Sequence, residues 1–223
     1  MIFDLSNTTE FPDPRYGDPS GFYAVGGDIS PDRLIKAYPM GIFPWYAYKE
    51  GQIHWWAPQR RFVILPEEIE ISHSMRNHRN KGIHSCTINE DFEGVLLGCC
   101  HADNRSDDPD AWLGPELMET WMELNRRGYA KSVEVWNKEG YLVGGLYGFV
   151  VGGCFIGDSM FSLETNASKT ALIFLAEHMQ KQGGILIDCQ LKTKHLESMG
   201  GKYISYEKYL KATLESKPII WDK

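Results

Sequence analysis

The sequence predicts an α+β fold, with a small loop-rich N-terminal unit over residues 1–62 packed on a larger mixed-sheet domain over residues 63–223. Three observations predict it. Residues 1–62 are rich in Pro, Gly and aromatics and hold one helical pattern. Residues 130–162 hold three β-rich runs separated by short Gly-bearing turns, as in an antiparallel meander. A helical run and a further strand follow, and a strand–helix–strand connection favours parallel pairing. At 223 residues the chain can bury a real core.

In the N-terminal unit, Ser30 is a candidate N-cap and Pro31 suits the first helical position of "DRLIKAY", which ends near Pro39 and Gly41. The aromatic stretches "GIFPWY" and "HWWAP" are expected in loops, where rings more often line a pocket or an interface. Next come a strand "RFVILP", a short basic helix, a strand "HSCTI" and a helix "NEDFEGVLLGCCHA", with Asn89 as a candidate cap. From about Pro115 to Arg127, Leu117, Met118, Trp121 and Leu124 recur at helical steps, and Gly128 ends the run. The meander reads "AKSVEVWN", "YLVGGLYGFV" and "CFIGDSMFS". Asn166 is positioned to cap "ASKTALIFLAEHMQKQ", whose Ala167, Ala171, Leu172, Leu175 and Met179 share a face. Gly183 and Gly184 end that helix, and "ILIDCQL" is the strand after it.

Composition narrows the chemistry. Hydrophobic residues are 43% and aromatics 13%, so the chain folds. No apolar run is long enough to cross a bilayer, and the N-terminus lacks a signal core, so a cytoplasmic protein is expected. The five cysteines are then expected as free thiols. Adjacent Cys99 and Cys100 make poor tetrahedral chelators, and no metal is expected. A net charge of −7 argues against nucleic-acid binding by a broad field, leaving a local patch at Arg76, Arg79 and Lys81, near His78 and His84. Arg60 and Arg61 form a second basic pair, and the plainest reading of both is solvated surface.

The polar interruptions of two strands are the informative residues. Side chains alternate along a strand, so Leu186, Asp188 and Gln190 are expected on one face, opposite Ile185, Ile187, Cys189 and Leu191. In "GDSMFS", Asp158 and Met160 share a face, and Asp158 can approach Asp188 if the strands are neighbours. An acid near the end of a helix-covered strand is either a ligand-binding group or an exposed strand end. Nucleophile readings are weaker. Ser159 lacks the second glycine of G-x-S-x-G, and Cys189 with His195 is a pair by composition only. There is no Walker or dinucleotide-binding glycine motif.

Taken in order, "GFYAVGGDISPDRLIKAYPMGIFPWY", "IHWWAP", "SVEVW" with "LVGGLYG", "GDSMFS", "NASKTAL", "LIDCQ" and "LESMGG" resemble the bacterial leucyl/phenylalanyl-tRNA–protein transferases over nearly the whole chain. The resemblance implies a GNAT-like (acetyltransferase-like) larger domain. It implies transfer of Leu or Phe, and less well Met, from aminoacyl-tRNA to the N-terminal amine of proteins beginning with Arg or Lys, marking them for N-degron degradation. It implies no cofactor, since the ester is activated and an α-amine of pKa about 7.7–8.0 is partly neutral near pH 7. Asp188 and Gln190 match the family's catalytic acid and amide, and Asp158 stands where the family usually has Glu. Trp112, Leu146, Phe155 and Leu175 match the donor side-chain pocket. Tyr38 and Trp45 match residues near the terminal adenosine, where a ring can stack. Arg76, Arg79 and Lys81 match the part that meets the tRNA acceptor stem. Two other classes remain open: an acyl-CoA-dependent N-acetyltransferase, and a tRNA- or peptide-binding module without catalysis.

Overall fold

The structure, a computed structural model, describes residues 1–46, 52–101 and 114–221. Its elements form two sheets. The smaller contains β1 (Phe3–Asp4), β2 (Phe22–Val25), β3 (Phe43–Tyr46) and β4 (Ile53–Trp56), in the order β1-β2-β4-β3. So "FPWY" and "IHWW" are paired strands, not the loops expected of them. The reason is visible in "IHWW": Ile53 and Trp55 are buried while His54 and Trp56 are half-buried, a period of two that the mixture of aromatics disguised. Helix α1 (Pro31–Ala37) begins where Ser30 and Pro31 put it, although Ser30 caps through its carbonyl rather than its hydroxyl.

The larger sheet runs β11-β5-β10-β9-β8-β7-β6. Its centre is the expected meander, β7 (Ala130–Trp136), β8 (Leu142–Val151) and β9 (Cys154–Ser162), with β6 (Ser85–Ile88) at one edge. Helix α5 (Ala167–Gln182) then carries the chain over, and β10 (Leu186–Asp188) pairs parallel to β9. A meander, a helix and a parallel strand are the arrangement expected of an acetyltransferase-like domain. β5 (Arg60–Ile64) pairs antiparallel to β10 and to β11 (Lys202–Ser205).

Both faces of this sheet are covered. The apolar stripe of α5 packs with Val133, Val135, Val143 and Leu146 on one side. On the other side α3 (Phe92–His101) and α4 (Pro115–Arg126) pack with Tyr147, Phe149 and Phe161, in a core continuous with that of the small sheet. Helix α2 (His73–Asn80) carries the basic patch, and α6 (Lys194–Glu197) and α7 (Tyr206–Glu215) complete the chain beyond the segments with a sequence expectation.

Three local expectations are corrected. Asn89 is not the cap of α3: its backbone is left-handed at φ 55°, and Asp91 Oδ1 instead accepts the Gly94 N–H at 2.9 Å. Asn166 does precede α5, but its side chain makes no capping bond; its carbonyl accepts from Thr170. The expected strand over 185–191 ends at Asp188, because Gln190 turns the chain at φ 57°. The alternation therefore fails at both ends, and Ile185 and Leu191 are exposed. Leu186, Ile187 and Asp188 are all buried, as a strand covered on two faces requires.

Candidate active site

The site begins with a defect in the meander. In the β8–β9 ladder Tyr147 pairs with Ser159, yet Gly148 pairs with Gly157, which leaves Asp158 as the extra residue of a β-bulge. A bulge re-aims the side chain it carries. Here it breaks the expected shared face of Asp158 and Met160. The Asp158 carboxylate reaches the Tyr38 and Tyr147 hydroxyls of one core cluster, while Met160 packs against the other.

Asp158 is half-buried and well supplied with donors. Tyr38 Oη donates to Oδ1 at 2.7 Å and Tyr147 Oη to Oδ2 at 3.2 Å. Gln190 Nε2 donates to Oδ1 at 3.4 Å and to the Gly157 carbonyl at 3.1 Å. Burial lifts the Asp158 carboxyl to about 6, against the lowering pull of the bonds from Tyr38, Tyr147 and Gln190. Burial, and then the Asp158 charge, hold both tyrosines well above their ordinary range, so they stay protonated donors.

Asp188 is placed differently. It is 0% exposed, not an exposed strand end. Its Oδ2 is ion-paired with Arg61, and its Oδ1 accepts the backbone N–H of Gln190 at 2.8 Å. Asp188 and Asp158 are thus bridged by Gln190, one carboxylate holding its backbone and the other its carboxamide. That pairing answers why a left-handed, non-glycine backbone is tolerated at Gln190.

Arg61 is the residue that sequence reasoning misplaced. It is 0% exposed, not solvated surface. Its Nη1 donates to the Gly41 carbonyl at 2.9 Å, and its guanidinium lies 5.1 Å from the Phe43 ring centroid and 4.8 Å from that of Tyr209. Burial opposes its charge, and Asp188 together with Tyr209 and Tyr206 more than compensates, so its affinity for the proton rises. The available signal was the pattern "RRFVI": a charge inside an apolar strand needs a buried partner.

Two cavities meet at this bulge. One, of about 390 Å³, is apolar and is lined by Leu146, Phe155, Leu172, Leu175 and Ile187. The other, of about 350 Å³, opens between the sheets past Phe43 and Trp45. Gly157, Asp158, Ser159, Cys189, Thr193 and Leu196 line both. The structure therefore brings Leu146, Phe155, Leu175, Asp158, Gln190 and Trp45 together. Trp45 is exposed at the mouth, with its ring in a T-shaped contact with that of Trp56. Tyr38 is not: its ring is buried and stacked on Phe149 at 5.0 Å, so it serves the site through its hydroxyl and not as a stacking platform. Trp112 lies outside the described residues.

The basic segment lies elsewhere. Arg76, Arg79 and Lys81 are exposed along α2 and its end, and Arg76 and Arg79 line a polar cavity of about 530 Å³ with His78 and His84. Arg79 is clamped by Glu177 of α5 through two bonds of 2.7 Å. The Cys189 thiol is pushed up by burial and then by Asp188, which makes it a poor nucleophile. None of the five cysteines is in a disulfide, and no His, Cys, Asp and Glu cluster suited to a metal ion occurs among the described residues. No helix among them is long and apolar enough to cross a membrane.

Known proteins match this sequence over nearly its whole length. Residues 27–59 match the leucyl/phenylalanyl-tRNA protein transferase N-terminal domain, and residues 63–214 match leucyl/phenylalanyl-tRNA protein transferase. A leucyl/phenylalanyl-tRNA–protein transferase of Desulforapulum autotrophicum is 43% identical over 98% of this chain and 95% of its own. That of Flavobacterium johnsoniae is 45% identical over 93% of this chain and 96% of its own. Among solved structures, L-PGS from Bacillus licheniformis is similar at a TM-score of 0.45 and 12% identity, over 78% of this chain and 55% of that one. With both parts matched in order, and with relatives this similar over nearly their full length, the chain belongs to the leucyl/phenylalanyl-tRNA–protein transferase family, which is a family of aminoacyltransferases.

Proposed function

We propose that this enzyme moves Leu or Phe, and less readily Met, from aminoacyl-tRNA to the N-terminal amine of proteins beginning with Arg or Lys, in the cytoplasm, as a mark for N-degron degradation. The observation that carries the reading is the pair of cavities sharing one polar wall. The apolar cavity's wall of Leu146, Phe155, Leu172, Leu175 and Ile187 suits a Leu-sized or aromatic hydrophobic side chain. The second cavity, with Trp45 at its mouth, suits the terminal nucleoside by stacking. The ester joining the two then lies at the shared wall, beside Asp158 and the Gln190 carboxamide.

The reaction demands little beyond placement. The ester is activated and the nucleophile is an amine, so holding both in a near-attack geometry supplies most of the barrier reduction. In this reading Gln190 orients the amine, and Asp188 with Arg61 fixes Gln190. Arg76, Arg79 and Lys81 add phosphate contacts that a chain of charge −7 otherwise lacks. The same negative charge favours a cationic acceptor N-terminus.

The test uses tRNA charged separately with radiolabelled Leu, Phe, Met and Lys, and peptides that begin with Arg, Lys or Glu. Transfer is expected from Leu and Phe, weakly from Met, and onto Arg and Lys peptides. Equal transfer to the Glu peptide would remove the acceptor assignment, and no transfer from Leu or Phe would remove the donor assignment.

A further inference from the structure

Resting on that reading, we infer that Asp158, rather than Asp188, takes the proton of the attacking amine and returns it to the departing 3′ oxygen of the tRNA. Access decides first. Asp188 is fully buried and ion-paired with Arg61, and it borders the apolar cavity alone. Asp158 lines both cavities, at the wall where the ester and the amine must meet.

Valence permits the step. An ionised carboxylate offers about four acceptor sites. Tyr38 and Gln190 take two on Oδ1, and Tyr147 takes one on Oδ2. One acceptor position on Oδ2 is left for an amine N–H. The bulge supports the same point: a residue outside the ladder register has a side-chain direction set by its donors instead of by the pleat. The proton affinity fits the task, because burial holds the Asp158 carboxyl near 6 and a general base works best close to the operating pH.

The step balances without a co-reactant. The neutral amine attacks the ester carbonyl carbon and a C–N bond forms. The nitrogen, now strongly acidic, passes one proton to Asp158. The C–O bond to the ribose 3′ oxygen breaks, and that oxygen takes the proton from Asp158. The carboxylate is regenerated, leaving an amide and a free 3′ hydroxyl.

Single-turnover transfer from Phe-tRNA to an Arg-initiated peptide, measured from pH 5 to 9, tests this in wild type, Asp158→Asn and Asp158→Glu. In the wild type, log kcat/KM is expected to rise with slope two below about pH 6, where both the amine and Asp158 must lose a proton, and with slope one up to about pH 8. Asp158→Asn is expected to lower kcat about 100- to 1,000-fold, with both KM values within about threefold, and to show slope one throughout. Asp158→Glu is expected to restore most of kcat and the steeper limb, which separates proton transfer from simple packing. Asp158→Asn with kcat intact and a raised peptide KM would make Asp158 a binding group only and overturn the inference, as would a retained steep limb. A wild type that transfers neither Leu nor Phe brings down the functional reading itself, a result distinct from an active Asp158→Asn.

Discussion

Asp158 is a carboxylate that the fold holds at a cost. Its ordinary value is 3.8 and its folded value about 6, so the native state binds the proton more tightly than the unfolded chain. Stability from this group is therefore fully present below about pH 4, and is lost as pH rises through about 6. Asn keeps the shape and never ionises. Asp158→Asn is thus expected to be more stable than wild type at pH 8, by on the order of 1 kcal/mol or roughly 2–4 °C, with the difference vanishing by about pH 4. Thermal melts at the two pH values check this; a variant less stable at pH 8 would refute the charge penalty. A site residue that destabilises the fold is the usual mark of function over stability. At this scale the sequence was informative about acids and amides, since Asp158, Asp188 and Gln190 each interrupt an apolar strand. It was uninformative about what they touch. Arg61 lies 127 positions from Asp188, and Tyr38 lies 120 from Asp158, so no local pattern can pair them.

The bulge between β8 and β9 depends on two glycines facing each other, Gly148 and Gly157. A Cβ on Gly148 would stand 2.2 Å from the Ile156 carbonyl oxygen, which is backbone and cannot swing aside. Gly148→Ala must push the strands apart where Asp158 is aimed. It is expected to cost about 3 kcal/mol in urea unfolding and to depress transfer at the same time. Unchanged stability would mean that the bulge is soft. Helix α2 offers a gain instead of a loss. Glu177 neutralises Arg79 with two 2.7 Å bonds. Glu177→Gln keeps the packing and releases that cation, so tRNA binding at low salt is expected to tighten a few-fold and log Kobs to steepen against log salt by about 0.7–0.9. No change would remove Arg79 from the RNA contact. The elements themselves were readable, because the meander's β-rich runs are bounded by Gly-bearing turns and the apolar residues of α5 recur at three- and four-residue steps. The bulge was not, since one extra residue leaves the apolar pattern on either side intact. The strands β3 and β4 were missed because nearly every position in "FPWY" and "IHWW" is apolar or aromatic, so the alternation has little contrast.

The two sheets meet at a buried charge. Arg61 belongs to the larger sheet through β5, yet it bonds the Gly41 carbonyl and lies against Phe43 of the smaller one, while Tyr209 of α7 closes the other side. Its partner Asp188 anchors Gln190, so one ion pair joins the small sheet, the large sheet and the candidate active site. Separating the sheets would expose a pair that has been taken wholly out of water, and their apolar cores are already continuous. The molecule is therefore expected to unfold in one transition. Tryptophan fluorescence, to which Trp45, Trp55 and Trp56 of the small sheet contribute beside Trp121 and Trp136 of the large part, and far-UV circular dichroism, weighted by the helices on the large sheet, should give the same urea midpoint. Arg61→Met leaves Asp188 buried and unpaired, which costs about 3–5 kcal/mol. Adding Asp188→Leu removes the orphaned charge and is expected to recover most of that stability while transfer stays lost, because nothing then holds the Gln190 backbone in its left-handed turn. Two separate midpoints in the wild type would show that the sheets fold independently. A double variant that transfers at the wild-type rate would show that Gln190 needs no anchor.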